Sequence, residues 1–212
     1  MVISYSLELR VVTERTQRIK ELAHETGALM YGDFTLSSGK KSDHYYDGKQ
    51  LSQHPEGAYL IAEEIFDILA AVDFDAIGGL AVSAIPIVTA VTVISHIKGK
   101  PINSFWVREE QKKHGTKKRI EGQFRKNSKV VIIDDVITGG NSIQKAIDAV
   151  RGGGCEVVKV IVVVDRHEGG SDRLKSEGYD FKAILDLWPS GEVTVDEDSA
   201  IKGETRTRIL RR

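Results

Sequence analysis

The run Val130–Ser142, VVIIDDVITGGNS, constrains this chain more than any other stretch, because it joins an apolar strand, two adjacent carboxylates and a glycine-hydroxyl turn that opens a helix. Val130–Ile133 is a short β-branched run of the kind a buried parallel strand needs, and it delivers Asp134 and Asp135 to the strand's carboxyl end. Ligands of open α/β sheets bind at that edge. After Val136 and Ile137, the turn Thr138-Gly139-Gly140-Asn141-Ser142 offers backbone amides and two hydroxyls at the start of a helix over Ile143–Val150. An anion seated there gains hydrogen bonds and the favourable end of the helix dipole. Carboxylates for hydroxyl groups beside amides for an anion are the complement of a sugar phosphate.

Strands and helices alternate on either side of this unit. Ile19, Leu22, Ala23 and Thr26 keep helical spacing up to Gly27, a natural stop. Phe34–Lys49, FTLSSGKKSDHYYDGK, reads as short strands around a Ser-Ser-Gly-Lys turn, a small cap over a larger sheet. Pro55 opens a helix whose Ala58, Ile61, Ala62, Ile65, Leu69 and Val72 share one face. Then come a strand near Ala76–Gly79, a helix near Ile85–Ile97, a strand at Ile102–Val107, the central strand and helix, and a strand at Val157–Val164. Strands separated by helix-length segments predict crossover connections and a mostly parallel sheet. The polar stretch after Trp188 is expected to be an edge element or a loose tail.

A chain of 212 residues suits one α/β unit with a modest extension. Thirty basic and thirty-one acidic side chains leave a net charge of −1, so no global basic field argues for nucleic acid. The single Cys155 excludes an internal disulfide and reads as structural. The opening MVISYSLELR has neither a basic n-region nor an uninterrupted apolar run, and no apolar stretch reaches the ~18 residues of a membrane span. A cytoplasmic protein with no membrane partner is expected.

Arg108–Gly122, REEQKKHGTKKRIEG, has no apolar residue from Arg108 through Arg119 and therefore cannot bury itself. Taken alone, a charge run is a solvated loop. This one leaves the strand Ile102–Val107 on the edge where ligands bind, so its Arg108, Lys112, Lys113 and His114 are placed to meet a pyrophosphate. Lysine brings a point charge that follows a moving phosphate, and arginine a fork that grips its oxygens.

The Val130–Ser142 segment resembles the signature of the type I phosphoribosyltransferases. R-x-x-x-K-x-H-G from Arg108 narrows the likeness to the orotate phosphoribosyltransferases, with support from YGDFTLSSGKKSDHYYDGK at Tyr31–Lys49, GGLAVSAIPI at Gly78–Ile87 and VVDRHEGG at Val163–Gly170. The resemblance implies a single phosphoribosyltransferase domain over residues 1–212, with an N-terminal helix and hood over about 1–54, an α/β core over about 55–187 and an extension over about 188–212. It implies transfer of ribose 5-phosphate from phosphoribosyl pyrophosphate to orotate, with magnesium as cofactor and a homodimer whose active sites are shared.

Carried over by motif, Asp134 and Asp135 hold the ribose hydroxyls while the donor is bound along Val136, Ile137, Thr138, Gly139, Gly140, Asn141 and Ser142. Lys112 is the main catalytic side chain, joined by Arg108 and His114 at the pyrophosphate, with the loop reaching the neighbouring subunit's site. Arg166 matches the group that bonds the orotate carboxyl; its bland alternative is a pair with Asp165 or Glu168. Tyr45 and Tyr46 match an aromatic pair lining the base pocket, together with Thr138, although on one short strand they fall on alternate faces. No direct protein metal site is expected, since two neighbouring acids make a thin ligand set and act on magnesium through bound ligands or water.

The chain departs from the family pattern where relatives carry lysine and it has Glu109, Ser37 and Ser83, with Lys113, Lys40 or Lys41 as possible replacements for the lost charge. Two alternatives stay open at this level: a purine phosphoribosyltransferase, which has no use for Arg166 as a carboxylate clamp, and a regulator that senses phosphoribosyl pyrophosphate and binds nucleic acid.

Overall fold

The computed structural model describes residues 2–35, 39, 41–110 and 118–195, with side chains from Glu14 onward. Helix α1 (Val2–Glu25) ends before Gly27, which takes a left-handed φ of 72°. Strands β1 (Leu29–Thr35) and β2 (Lys41–Tyr46) pair antiparallel as a separate two-stranded sheet, the expected hood. Helix α2 (Gly48–Ser52) and helix α3 (Pro55–Leu69) follow, the latter opened by Pro55 at its first turn and by His54, whose Nδ1 accepts from the Gly57 N–H at 3.3 Å.

The core runs β3 (Ala76–Leu80), α4 (Ala84–Ile97), β4 (Asn103–Val107), β5 (Ile120–Gly122), β6 (Lys129–Ile137), α5 (Asn141–Arg151), β7 (Glu156–Asp165), α6 (Gly170–Ser176), β8 (Phe181–Leu187) and β9 (Val193–Val195). These strands form one seven-stranded sheet in the order β5-β4-β3-β6-β7-β8-β9, parallel at its centre and antiparallel only at the β4-β5 and β8-β9 edges. Alternate residues of β6 face opposite layers. Val131 and Ile133 pack with Ile19, Leu22, Ile61, Ile65 and Val91 of α1, α3 and α4. Val130 and Ile132 pack with Ile143, Ala146, Ile147 and Val150 of α5 and with Leu174 of α6. The fold is the mostly parallel α/β sandwich expected.

Three boundaries around the acidic pair differ from the sequence reading. β6 does not stop at Ile133 but continues through both acids to Ile137, because β7 runs on beside it and pairs Ile137 with Asp165. On its other side β3 pairs only as far as Ile132, so the acidic pair lies on a strand supported from one flank. The predicted loop Arg108–Gly122 ends as a strand, β5, and Arg108 N donates to Arg119 O at 2.8 Å to close its base. Helix α5 begins at Asn141 rather than Ile143, putting Asn141 and Ser142 in its first turn. Cys155 is buried, and β9 is the expected edge element. Among the described residues no helix is long and apolar enough to cross a membrane.

Candidate active site

The one-sided stretch of β6 holds Asp134 and Asp135 side by side, 3% and 5% exposed. Asp134 Oδ1 accepts from the Asp135 N–H at 2.9 Å. Ser83, at the start of α4, lies close enough to both carboxyl groups to oppose part of the rise in their pKa. Gly48 backs Asp135 so closely that a side-chain carbon there would stand 2.7 Å from Oδ2. Burial pushes the Asp134 carboxyl well above the usual range, with the neighbouring Asp135 charge adding to it; burial also raises Asp135, against the pull of its bond to Asp134 and of Lys49. Two acids held at this cost to the fold are poised to be relieved by a ligand bearing hydroxyls or a cation.

Beyond Ile137 the chain turns through Thr138, Gly139 and Gly140, the last at φ 78° and ψ 14°, a left-handed conformation suited to glycine. Among the described residues no side chain caps α5, which leaves N–H groups of its first turn for other acceptors. The segment after β7 is laid along this turn. Arg166 N donates to Ile137 O at 3.1 Å, and Gly170 N to Thr138 O at 2.9 Å. Gly170 must be glycine here, since a side-chain carbon would stand 2.8 Å from Gly140 N and overlap the Thr138 carbonyl oxygen. Farther along α6, Arg173 Nη2 donates to Gly140 O at 3.1 Å.

Arg166 is largely enclosed, paired through Nη2 with Glu168 at 2.9 Å, while its Nε is buried without a hydrogen-bond partner among the described residues. The pair with Glu168 is the bland alternative the sequence allowed, and it leaves part of the fork unspent. The next residue, His167, sits at φ 51° and is clamped. Its Nε2 lies 2.8 Å from Asp186 Oδ1, its Nδ1 3.8 Å from Asp165 Oδ2, and its ring stacks on Trp188 at 3.9 Å and 4°. Asp165 and Asp186 are register partners on β7 and β8, so the imidazole bridges two adjoining carboxylates. These three residues bring ligating atoms within 4.8 Å of one another, but the carboxylates address different ring nitrogens, the arrangement of a hydrogen-bonded clamp rather than of ligands converging on one ion.

Of the tyrosine pair, Tyr45 is 39% exposed beside Phe34 at 5.7 Å, whereas Tyr46 is buried in the core among the α1 and α3 side chains. The Tyr46 hydroxyl has no hydrogen-bond partner among the described residues, and burial, then the Asp135 charge, push its pKa far above the phenol range. Of the two rings only Tyr45 offers an open face, as the alternation along a short strand allowed. Arg108 pairs with Glu121 at 3.4 Å and borders a cavity of about 410 Å³ with Ala81, Val82, Trp106, Glu109 and Glu110. Glu109 pairs with Lys145 of α5 at 2.8 Å. Lys112, Lys113, His114, Ser37 and Lys40 lie outside the described residues. The sequence reading did not single out His167 or Arg173; the histidine beside Arg166 in VVDRHEGG offered a signal for the first, and nothing local marked the second.

Comparison with known proteins bears on this geometry. Residues 47–197 match the phosphoribosyl transferase domain family. The orotate phosphoribosyltransferase of Corynebacterium glutamicum strain R is 40% identical over 184 residues, covering 87% of this chain and 96% of that protein. The one from Nostoc sp. is 43% identical over 157 residues, covering 74% and 76%. Among solved structures, the Mycobacterium tuberculosis orotate phosphoribosyltransferase in complex with 5-phospho-alpha-D-ribosyl 1-diphosphate superimposes with a TM-score of 0.64 at 28% identity, covering 83% of this chain and 89% of that one.

Proposed function

This chain belongs to the phosphoribosyl transferase family, and on that premise we infer that it is an orotate phosphoribosyltransferase, a pentosyltransferase of pyrimidine nucleotide synthesis. It transfers ribose 5-phosphate from phosphoribosyl pyrophosphate to orotate, releasing orotidine 5'-phosphate and pyrophosphate.

The observation that supports this assignment of residues is the backbone pairing of Arg166 and Gly170 with Ile137 and Thr138, which brings the segment carrying Arg166 beside an amide-rich turn. In this reading the first turn of α5 and Thr138–Ser142 take the 5-phosphate through N–H groups and hydroxyls. Asp134 and Asp135 accept hydrogen bonds from the ribose hydroxyls. Departure of pyrophosphate leaves a cation-like sugar, as in glycoside cleavage, and the paired carboxylates stabilise that charge. Arg166 gives its unspent donors to the orotate carboxylate, a planar group that suits a guanidinium fork. Tyr45 flanks the base, with Thr138 at its edge. Lys112, helped by Arg108 and His114, neutralises the leaving pyrophosphate, and a homodimer supplies this loop from the partner subunit. No protein nucleophile is required.

Magnesium fits this site by way of the donor. Asp134 and Asp135 lack a third acid or histidine beside them among the described residues, and their raised carboxyl groups favour a cation's arrival. When bound with phosphoribosyl pyrophosphate it would offset the charge of the leaving group. The enzyme works in the cytoplasm in this reading, without nucleic acid.

Two experiments test the roles. Arg166→Ala should raise the orotate KM by about tenfold or more while phosphoribosyl pyrophosphate binds nearly as before, since each charged hydrogen bond is worth roughly 1.5–3 kcal/mol; unchanged orotate affinity with collapsed donor binding would reassign Arg166. Mixing inactive Lys112→Ala subunits with inactive Asp134→Ala, Asp135→Ala subunits should restore activity once subunit exchange is verified. Hybrids as inactive as both parents would place the loop in its own subunit's site.

A further inference from the structure

We propose that Arg173 is a positioning residue for the donor's 5-phosphate, acting through the Gly140 carbonyl, an inference that rests on the reading of Thr138–Ser142 as the phosphate cradle. The Gly140 oxygen receives two donors, Arg173 Nη2 at 3.1 Å and the Gln144 N–H at 3.0 Å. The second is the ordinary opening bond of α5. The first is a cation added to it.

That carbonyl and the Asn141 N–H belong to one peptide unit. Positive charge at the oxygen draws electron density along the amide and makes its N–H a stronger donor, the cooperative strengthening of linked hydrogen bonds. Asn141 opens a helix that no side chain among the described residues caps, so this N–H is among the groups available to an anion. Arg173 thus delivers its charge to the phosphate by way of a peptide plane, without touching the phosphate.

Geometry gives the guanidinium a second task. Gly140 has no side chain to fix its left-handed conformation, so apart from Arg173 its carbonyl is held by the Gln144 N–H alone among the bonds described. Arg173 Nη2 fills the space on that side: a side-chain carbon on Gly140 would stand 3.0 Å from it and 3.5 Å from Gly170 Cα. The arginine is itself steadied by α6, with Glu177 Oε1 3.8 Å from Nε one helical turn on. Glu177 offsets part of its charge, and the side chain is 38% exposed, so the effect at the phosphate is screened and modest.

The test uses the full-length enzyme with ribose 5-phosphate and inorganic phosphate as calorimetric probes, alongside steady-state kinetics. Arg173→Gln should weaken both probes and raise the KM for phosphoribosyl pyrophosphate about five- to tenfold, while orotate KM and kcat change less than about twofold. Arg173→Lys, which keeps the charge and loses the fork, should recover part of the loss. Glu177→Gln removes the opposing carboxylate and should tighten phosphate binding, a change of opposite sign that damage to the fold cannot mimic. Thr138→Ala with Ser142→Ala checks the cradle itself. If that double variant loses phosphate affinity while Arg173→Gln binds like the parent, the inference on Arg173 is overturned and the cradle stands. If neither loses affinity, both fall. Equal losses for orotate and donor with a lowered Tm would make Arg173 merely structural and also overturn the proposal.

Discussion

Replacing Gly170 by alanine adds one carbon to the tightest contact between α6 and the phosphate turn. That carbon would overlap the Thr138 carbonyl oxygen and stand 2.8 Å from Gly140 N and 2.9 Å from Gly139 C, where ordinary contact begins near 3.4 Å. All three neighbours are backbone atoms, which cannot rotate aside. The segments must part by roughly half an ångström or more, in an interior packed as densely as a crystal. Overpacking of this kind costs about 1–3 kcal/mol. Loss of the Gly170 N to Thr138 O bond, now 2.9 Å, adds about 1 kcal/mol. Alanine's better helix propensity returns about 1 kcal/mol, too little to reverse the sign. The expected net is a destabilisation of about 1–3 kcal/mol, or a Tm lower by about 3–10 °C in a domain of this size. Because the displaced atoms are those of the proposed cradle, ribose 5-phosphate should bind at least about tenfold more weakly by calorimetry. Ser171→Ala is the matched control: its hydroxyl is buried with no hydrogen-bond partner among the described residues, so its removal should leave Tm level or higher and affinity unchanged. A Gly170→Ala enzyme with parental Tm and phosphate affinity would show that α6 does not set the shape of the turn.

Asp134→Asn should abolish turnover yet raise Tm at neutral pH. The folded carboxyl is held above its ordinary value of 3.8, so Asp134 favours the fold below that value and this contribution is lost as pH rises through the raised folded pKa; the Tm advantage of the asparagine should therefore shrink on acidification, and a constant advantage would refute the cause given. Tyr46→Phe removes a buried hydroxyl without a partner and should match or exceed the parent in Tm with orotate KM nearly unchanged; a large rise in KM would put that ring in the base pocket after all. His167→Ala breaks the bond to Asp186 and the Trp188 stack and strains a left-handed residue, so orotate KM should rise about tenfold while the donor KM holds. His167→Asn, which tolerates that backbone, should recover part of it, and equal effects on both substrates would deny the clamp its link to Arg166.

The central unit was legible because its demands are local. A β-branched run, two acids and a Gly-Gly-Asn-Ser turn carry their own strand, site and helix, and the apolar spacing after Pro55 needs no partner to be read. What sequence could not supply were pairings set by distant segments. β6 outlasts Ile133 only because β7 continues beside it to Asp165. Tyr45 and Tyr46 alternate as any strand residues do, but which of them is buried depends on α1 and α3 packing over the hood's end. Arg173 lies on the short helix α6, whose seven residues hold too few apolar positions to show a period. Glu109 reads as lost positive charge until Lys145, far along the chain, is found 2.8 Å away.

The most direct measurement is the loss of orotate absorbance in the presence of phosphoribosyl pyrophosphate and magnesium, repeated with uracil and with a purine base. The account predicts rapid consumption of orotate, formation of orotidine 5'-phosphate and pyrophosphate in equal amounts, and little turnover of the other bases. Turnover of a purine with orotate untouched would contradict it.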